Sequence, residues 1–206
     1  MTDFEEKMET AIYGKDMKAK GVTPAIALWN PKYAHNVGSV VRAASCFGAK
    51  QVWFTGSRVS LDPAKGERLP REERMRGYKN VELRQFDYFY DQFDRDVVPV
   101  AIELRPGSEL LTEFVHPEKA LYVFGPEDGS IPSVALRHCH RFVVIPTHHC
   151  VNLSAAVYMV LYDRMLKRQQ LGLDPMPMIE ECLKEDRSWC LPDANGRDDN
   201  LVQYVR

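Results

Sequence analysis

Apolar and polar positions alternate along this chain between two rhythms. "AIALWN" (25–30) is a short apolar run of the kind a buried strand shows. After the break at Pro31, Val37, Val40, Val41, Ala44 and Phe47 recur at helical spacing, and Gly48 stops the pattern. Asn36 stands where a helix cap would, and "KQVWFTG" (50–56) reads as the next strand. Strand, helix and strand in succession predict a β-α-β unit and a parallel sheet. Further on, "LRQFDYFYDQFD" (83–94) is aromatic-rich and reads as helical, "VVPVAIEL" (97–104) as a strand and "GSELLTEFV" as a short helix. "ALYVFG" (120–125) and "RFVVIP" (141–146) read as strands flanking a helix in "PSVALRHC" (132–139). A helix is expected from about Leu153 to Gln170. Its first ten residues hold only Ser154 as a polar side chain, if tyrosine counts as apolar. A helix that apolar all round is buried on more than one side, in a core or against another subunit. The alternation places the chain in the α/β class, a parallel sheet flanked by helices.

Other segments lack either rhythm. Residues 57–80 are polar, and from Lys65 to Lys79 six basic residues face three acidic ones. Arg68, Arg71 and Arg74 lie at its centre, in what reads as an exposed loop or short helix. Residues 1–24 read as a polar lead-in, 25–172 as the domain proper, and 173–206 as an extension. That extension carries four more acidic than basic residues. The 206 residues are 45% apolar and 27% charged, with a net charge of −2, so no whole-molecule field recruits nucleic acid. Any RNA must bind a local patch. The acidic start "MTDFEEKMET" does not resemble a signal peptide, and no apolar run is long enough to span a bilayer. Five cysteines without framework spacing suit a reduced, cytoplasmic setting.

Ligands of parallel sheets sit beyond the carboxyl ends of the strands. Three strands here run into unusual loops: "NPKYAHN", "GPEDGSIP" and "IPTHHCVN". In the first, Asn36 and Arg42 either cap and solvate the helix or send a hydrogen-bonding group and a fixed cation toward one polar site. The second places Glu127 and Asp128 between Gly125 and Gly129 at the ligand-facing edge, where glycine lets a backbone approach a ligand closely. The third gathers Cys150, Asn152 and Ser154 at a helix start, with free N–H groups for a ligand's polar edge. "HCH" (138–140) and "HHC" (148–150) hold four of the six histidines, but neither CxxC nor HxxxH spacing occurs, so no metal is expected. Neither GxGxxG nor a Walker sequence is present, which argues against a dinucleotide fold and a P-loop.

Taken in order, "HNVGSVVRAASCFGA", "LYVFGPEDGSIP" and "VVIPTHHCVNLSAAVYMVLYD" resemble the three motifs of the SpoU (TrmH) branch of the SPOUT methyltransferases. The resemblance covers about residues 25–170. It implies a deep C-terminal trefoil knot, an obligate homodimer, S-adenosylmethionine as cofactor, and methylation of a ribose 2′-hydroxyl in tRNA or rRNA. Carried over by position, Asn36, Arg42, Glu127 and Asn152 match the motifs' catalytic positions. Gly125, Ile145, Cys150 and Val151 match positions that hold the cofactor, and Glu103 falls where the family has a further adenosine-side contact. Cys150 departs from the pattern, standing where serine is usual, and a thiol is a weaker donor and acceptor than a hydroxyl. That departure motivates an alternative, a catalytically weak RNA-binding homologue. A third reading, a doubly wound enzyme of small molecules, predicts neither knot nor RNA binding.

Overall fold

The computed structural model describes residues 24–60 and 80–173. The chain divides into two compact units, Met1–Leu166 and Lys167–Arg206. In the first, seven strands form one all-parallel sheet: β1 (Ala25–Leu28), β2 (Gln51–Phe54), β3 (Glu82–Gln85), β4 (Val98–Ile102), β5 (Glu109–Leu110), β6 (Ala120–Phe124) and β7 (Arg141–Val144). Their spatial order is β3-β2-β1-β6-β4-β7-β5. Among the described residues three helices accompany them: α1 (Ala34–Cys46), α2 (Ser133–Leu136) and α3 (Leu153–Gln170). The parallel α/β sheet expected from the sequence is therefore present.

Both faces of the sheet's centre are covered, so β1 and β6 read as continuous apolar runs. Alternate residues go to opposite sides. Ile26, Leu28, Tyr122 and Phe124 join α1 and α3 in one core, with Val37, Val40, Val41, Val157, Val160 and Leu161. Ala25, Ala27, Leu121 and Val123 join a second core with Trp53, Phe89, Ile131 and Ala135. The α1 stripe is buried as its spacing requires, although Phe47 is only partly so.

Several expectations are corrected. Asn36 does not cap α1: the helix begins at Ala34 with Tyr33 as its cap and no side-chain cap bond. Residues 83–94 are not a helix. Their start is the edge strand β3, held to β2 by the buried Glu82 carboxylate, which accepts from Gln51 Nε2 at 2.9 Å and Trp53 Nε1 at 3.4 Å. Only Tyr90–Gln92 forms a short 3-10 turn. Phe86 and Phe93 instead pack on Trp53, with ring centroids at 4.8 and 4.5 Å. "GSELLTEFV" is likewise not helical. Glu109–Leu110 is the strand β5, paired with β7 and gripped by Arg141, whose Nε lies 2.6 Å from Glu109 Oε1. The helix expected over 132–139 shrinks to Ser133–Leu136.

One buried charge sits on the otherwise apolar face of α3. Arg164, 6% exposed, donates to the carbonyls of Pro117 and Glu118 at 2.6 and 2.8 Å. Beside it His116 joins the Tyr122 hydroxyl (2.6 Å) to Asp163 (2.7 Å). These bonds satisfy groups that burial would otherwise penalise, and they pin α3 to the chain entering β6. The registers bring Leu28, Phe124, Ile102 and Val143 side by side across four strands. The loops that follow β1, β6, β4 and β7 thus leave from one edge, and that row positions the site.

Candidate active site

Three of those loops are tied by one chain of hydrogen bonds. It starts at α3, where Asn152 Oδ1 accepts from the backbone N–H of Ser154 (2.9 Å) and Ala155 (3.3 Å) and from the Ser154 hydroxyl (2.7 Å). Asn152 thus caps α3, satisfying N–H groups that have no partner within the helix. Its Nδ2 donates to Asn36 Oδ1 at 3.0 Å. Asn36 Nδ2 then donates to Glu127 Oε1 at 2.6 Å. The second oxygen, Oε2, accepts from the backbone N–H of Lys32 at 2.7 Å. The structure therefore brings together Asn36, Glu127 and Asn152, one from each motif. Asn36 is 2% exposed, because its place on α1 faces the sheet edge and not the solvent.

Beside this chain lies a cavity of about 460 Å³. Its walls come from the segments after β4 (Ile102–Leu104), β6 (Phe124–Glu127, Gly129) and β7 (Val144, Ile145, and 147–151), and from Leu153 and Ala156 of α3. Every residue matched to the cofactor, namely Glu103, Gly125, Ile145, Cys150 and Val151, is in that wall, as is Glu127. Asn36, Asn152 and Arg42 are not among its lining residues. Arg42 is half-buried on α1, not the solvated arginine of the plainer reading. Glu103 Oε2 accepts from the Ile131 backbone N–H at 2.8 Å, which joins the β4 loop to the β6 loop. At Gly125 a side chain would crowd that same turn: a Cβ would stand 3.1 Å from Ile131 N and 3.2 Å from its Cγ1.

The sequence reading missed a cluster at the rim. Arg58 grips both oxygens of Asp128, at 2.8 and 2.7 Å, and Lys32 Nζ lies 3.2 Å from the same carboxylate. The Arg58 hydrogen bonds, helped by Lys32, hold the Asp128 carboxyl far below the usual carboxylate range. Asp128 was visible beside Glu127, but Arg58 lay in a polar stretch with no motif, and only contact across 70 residues shows its role. Arg68, Arg71 and Arg74 lie outside the described residues. The two histidine groups separate: His138 bonds Tyr88 at 2.7 Å, while His148 and His149 line the cavity. Among the described residues, no group of three or more metal-ligating side chains occurs. Nor is any helix among them long and apolar enough to cross a membrane.

A family model described as the SpoU rRNA Methylase family matches residues 24–162. The chain is 27% identical over 183 residues to tRNA (cytidine-2'-O-)-methyltransferase TrmJ of Methanocaldococcus jannaschii, covering 79% of this chain and 76% of that protein. Among solved structures, the A. aeolicus TrmH/SpoU tRNA modifying enzyme matches with a TM-score of 0.63 at 18% identity, covering 87% of this chain and 90% of that one. The SpoU methyltransferase AviRb from Streptomyces viridochromogenes, solved in complex with the cofactor AdoMet, matches with a TM-score of 0.60 at 16% identity, covering 75% and 63%.

Proposed function

The chain belongs to the SpoU rRNA Methylase family, and from that premise we propose that it transfers the methyl group of S-adenosylmethionine to a ribose 2′-hydroxyl of tRNA or rRNA. The observation that carries this reading is the cavity walled by the three motif loops and braced by the Asn152–Asn36–Glu127 chain. Its residues suit the cofactor. The volume falls within the range of small-molecule sites. Ile102, Phe124, Ile145, Val151 and Leu153 offer apolar walls to an adenine, and Glu103 and Glu127 offer carboxylates to hydroxyl or cationic groups. When bound, the sulfonium supplies an electrophilic methyl.

The chain's own residues do the remainder. Glu127 is fixed by two donors and faces the cavity. Asn36, buried, acts as a positioning residue that sets the carboxylate's direction. Asn152 anchors Asn36 to α3. Arg42 orients the attacking hydroxyl and a neighbouring phosphate. An arginine resists deprotonation, so orientation is a physically easier task for it than proton abstraction. Holding the two substrates in line supplies the remaining acceleration.

Three finer features belong to the same proposal. The chain is knotted: the loops after β4, β6 and β7 converge although those strands lie out of sequence order, β6-β4-β7. Mechanical unfolding from both termini should then leave a contour shorter than a fully extended chain. It is a homodimer that pairs through the outer face of α3, where Met159 and Tyr162 are 39% and 52% exposed and Phe47 packs edge-on against Tyr158 and Tyr162. Light scattering tests this. The domain spans 25–172 in the cytoplasm, flanked by two extensions, with Arg68, Arg71 and Arg74 gripping RNA phosphates. The principal test is mass-spectrometric mapping of ribose methylation in total RNA incubated with protein and S-adenosylmethionine. No new 2′-O-methyl nucleotide, with S-adenosylmethionine bound, would leave the weak RNA-binding alternative.

A further inference from the structure

Among the described residues, Phe54, Phe89, Phe114 and Tyr122 are among the largest fully buried side chains. Tyr33 is different, at 44% exposed. Its ring stacks on that of His35, also exposed, with centroids 5.3 Å apart and planes 22° from parallel. Lys32 Nζ lies 5.3 Å from the Tyr33 ring centroid. The three residues therefore form a layered stack of ammonium, phenol and imidazole on the loop that leaves β1. That loop is part of the site: the Lys32 backbone N–H holds Glu127, and Asn36 follows His35 directly. Burial does not account for two aromatic rings left stacked in solvent at the ligand-facing edge of a parallel sheet.

The charges nearby fit a polyanion. Arg58 already engages both oxygens of Asp128, so the Lys32 ammonium at 3.2 Å is surplus to that carboxylate's needs. Among the described residues, Arg58 and Lys32 both stand at Asp128, while Glu127 spends its two oxygens on Asn36 and the Lys32 N–H; an ammonium beside a flat π surface is the pairing that single-stranded nucleic acid uses. We infer that His35, backed by Tyr33, is a stacking platform for an unpaired base of the RNA substrate, with Lys32 taking an adjacent phosphate. The inference rests on the RNA methyltransferase reading and adds to it. The target ribose is presented in an unpaired stretch, and the base beside it is held by stacking, not by hydrogen-bond readout. Stacking tolerates any base, so specificity at this position is for single-strandedness and not for sequence.

The test uses the full chain and labelled total RNA, in variants His35→Ala, His35→Phe and Tyr33→Ala. Both alanine variants are expected to weaken RNA binding by about tenfold, and His35→Phe to stay within about twofold of wild type. Affinity for S-adenosylhomocysteine by calorimetry should be the same in all four proteins. Ultraviolet crosslinking followed by nuclease and trypsin should leave a nucleotide on the peptide of residues 33–42, which cleavage after Lys32 and Arg42 releases. Wild-type affinity in His35→Ala would overturn the platform. So would a His35→Phe variant as weak as alanine, a 33–42 peptide free of adduct, or a change in particle mass showing that the rings contact a second protein copy. These failures separate from failure of the parent reading. If wild type methylates RNA while the alanine variants bind normally, only the platform falls. If wild type neither methylates nor binds RNA, both fall.

Discussion

Glu127→Gln is nearly isosteric, and the hydrogen-bond chain makes it costly. Each oxygen of Glu127 receives a donor, Asn36 Nδ2 at 2.6 Å on one and the Lys32 N–H at 2.7 Å on the other. A carboxylate accepts on both sides, whereas a glutamine amide accepts on one and donates on the other. Either orientation therefore sets a donor against a donor. Flipping Asn36 does not relieve this, because its other end would then present Nδ2 to Asn152 Nδ2. Flipping Asn152 in turn would turn its Nδ2 toward the Ser154 and Ala155 N–H groups, which are backbone and cannot reverse. The polarity of the whole chain is fixed from α3 outward.

With its oxygen toward the buried Asn36, the glutamine loses the Lys32 bond. With the oxygen toward Lys32, it leaves Asn36 unsatisfied at 2% exposure. The first costs less, because the Lys32 N–H can find water. Losing one charge-assisted bond is worth about 1.5–3 kcal/mol, and at about 2–4 °C per kcal/mol for a protein of this size the melting midpoint should fall by about 3–12 °C. Thermal unfolding by circular dichroism reads the first effect and single-turnover methyl transfer the second, which should fall because the carboxylate's direction is lost. Asn36→Ala should show a loss of the same order. A Glu127→Gln protein with wild-type midpoint and wild-type transfer would refute the argument that this position needs an acceptor at both oxygens.

Arg42→Ala should abolish methyl transfer while leaving S-adenosylhomocysteine affinity nearly intact, read by calorimetry beside a radiolabelled transfer assay. Cys150→Ser should keep or raise activity; a loss beyond about tenfold would give the thiol a role of its own. Exposed Cys150 and Cys46 should alkylate quickly and Cys139, whose thiol is pushed up by burial, slowly; of these three, S-adenosylmethionine should protect Cys150. Arg58→Ala should bring the Asp128 carboxyl back up toward the usual range in a carbon-detected NMR titration. Because that carboxyl is depressed in the folded protein, whatever stability it lends is present above about pH 4 and is lost as pH falls toward its folded value, so the variant should show a weaker acid dependence below pH 4.

What could be read in the sequence followed the range of the interactions behind it. Five of the seven strands, β1, β2, β4, β6 and β7, announced themselves because each lies in a short apolar run between breaks, and α1 and α3 because their patterns persist over 13 and 18 residues. The errors fall where helical spacing was present but distant partners decided the backbone. Phe86, Phe89, Tyr90 and Phe93 are spaced like a helix face, yet Trp53 collects two of those rings and β2 takes the start of the segment as a strand. Glu109 and Leu110 look helical until Arg141, 32 residues on, fixes them as an edge strand. The site divides in the same way. Asn36, Glu127 and Asn152 could each be picked out singly, as polar residues at or just beyond the carboxyl ends of buried strands. Their bonds, across 91 and 116 residues, could not. Those bonds spend the amide of buried Asn36 at both ends, accepting from Asn152 and donating to the Glu127 carboxylate. The same dependence explains why a loop motif, and not a core motif, carried the family resemblance. Many apolar side chains can fill a core, but an amide that must accept from one side and donate to the other has few substitutes.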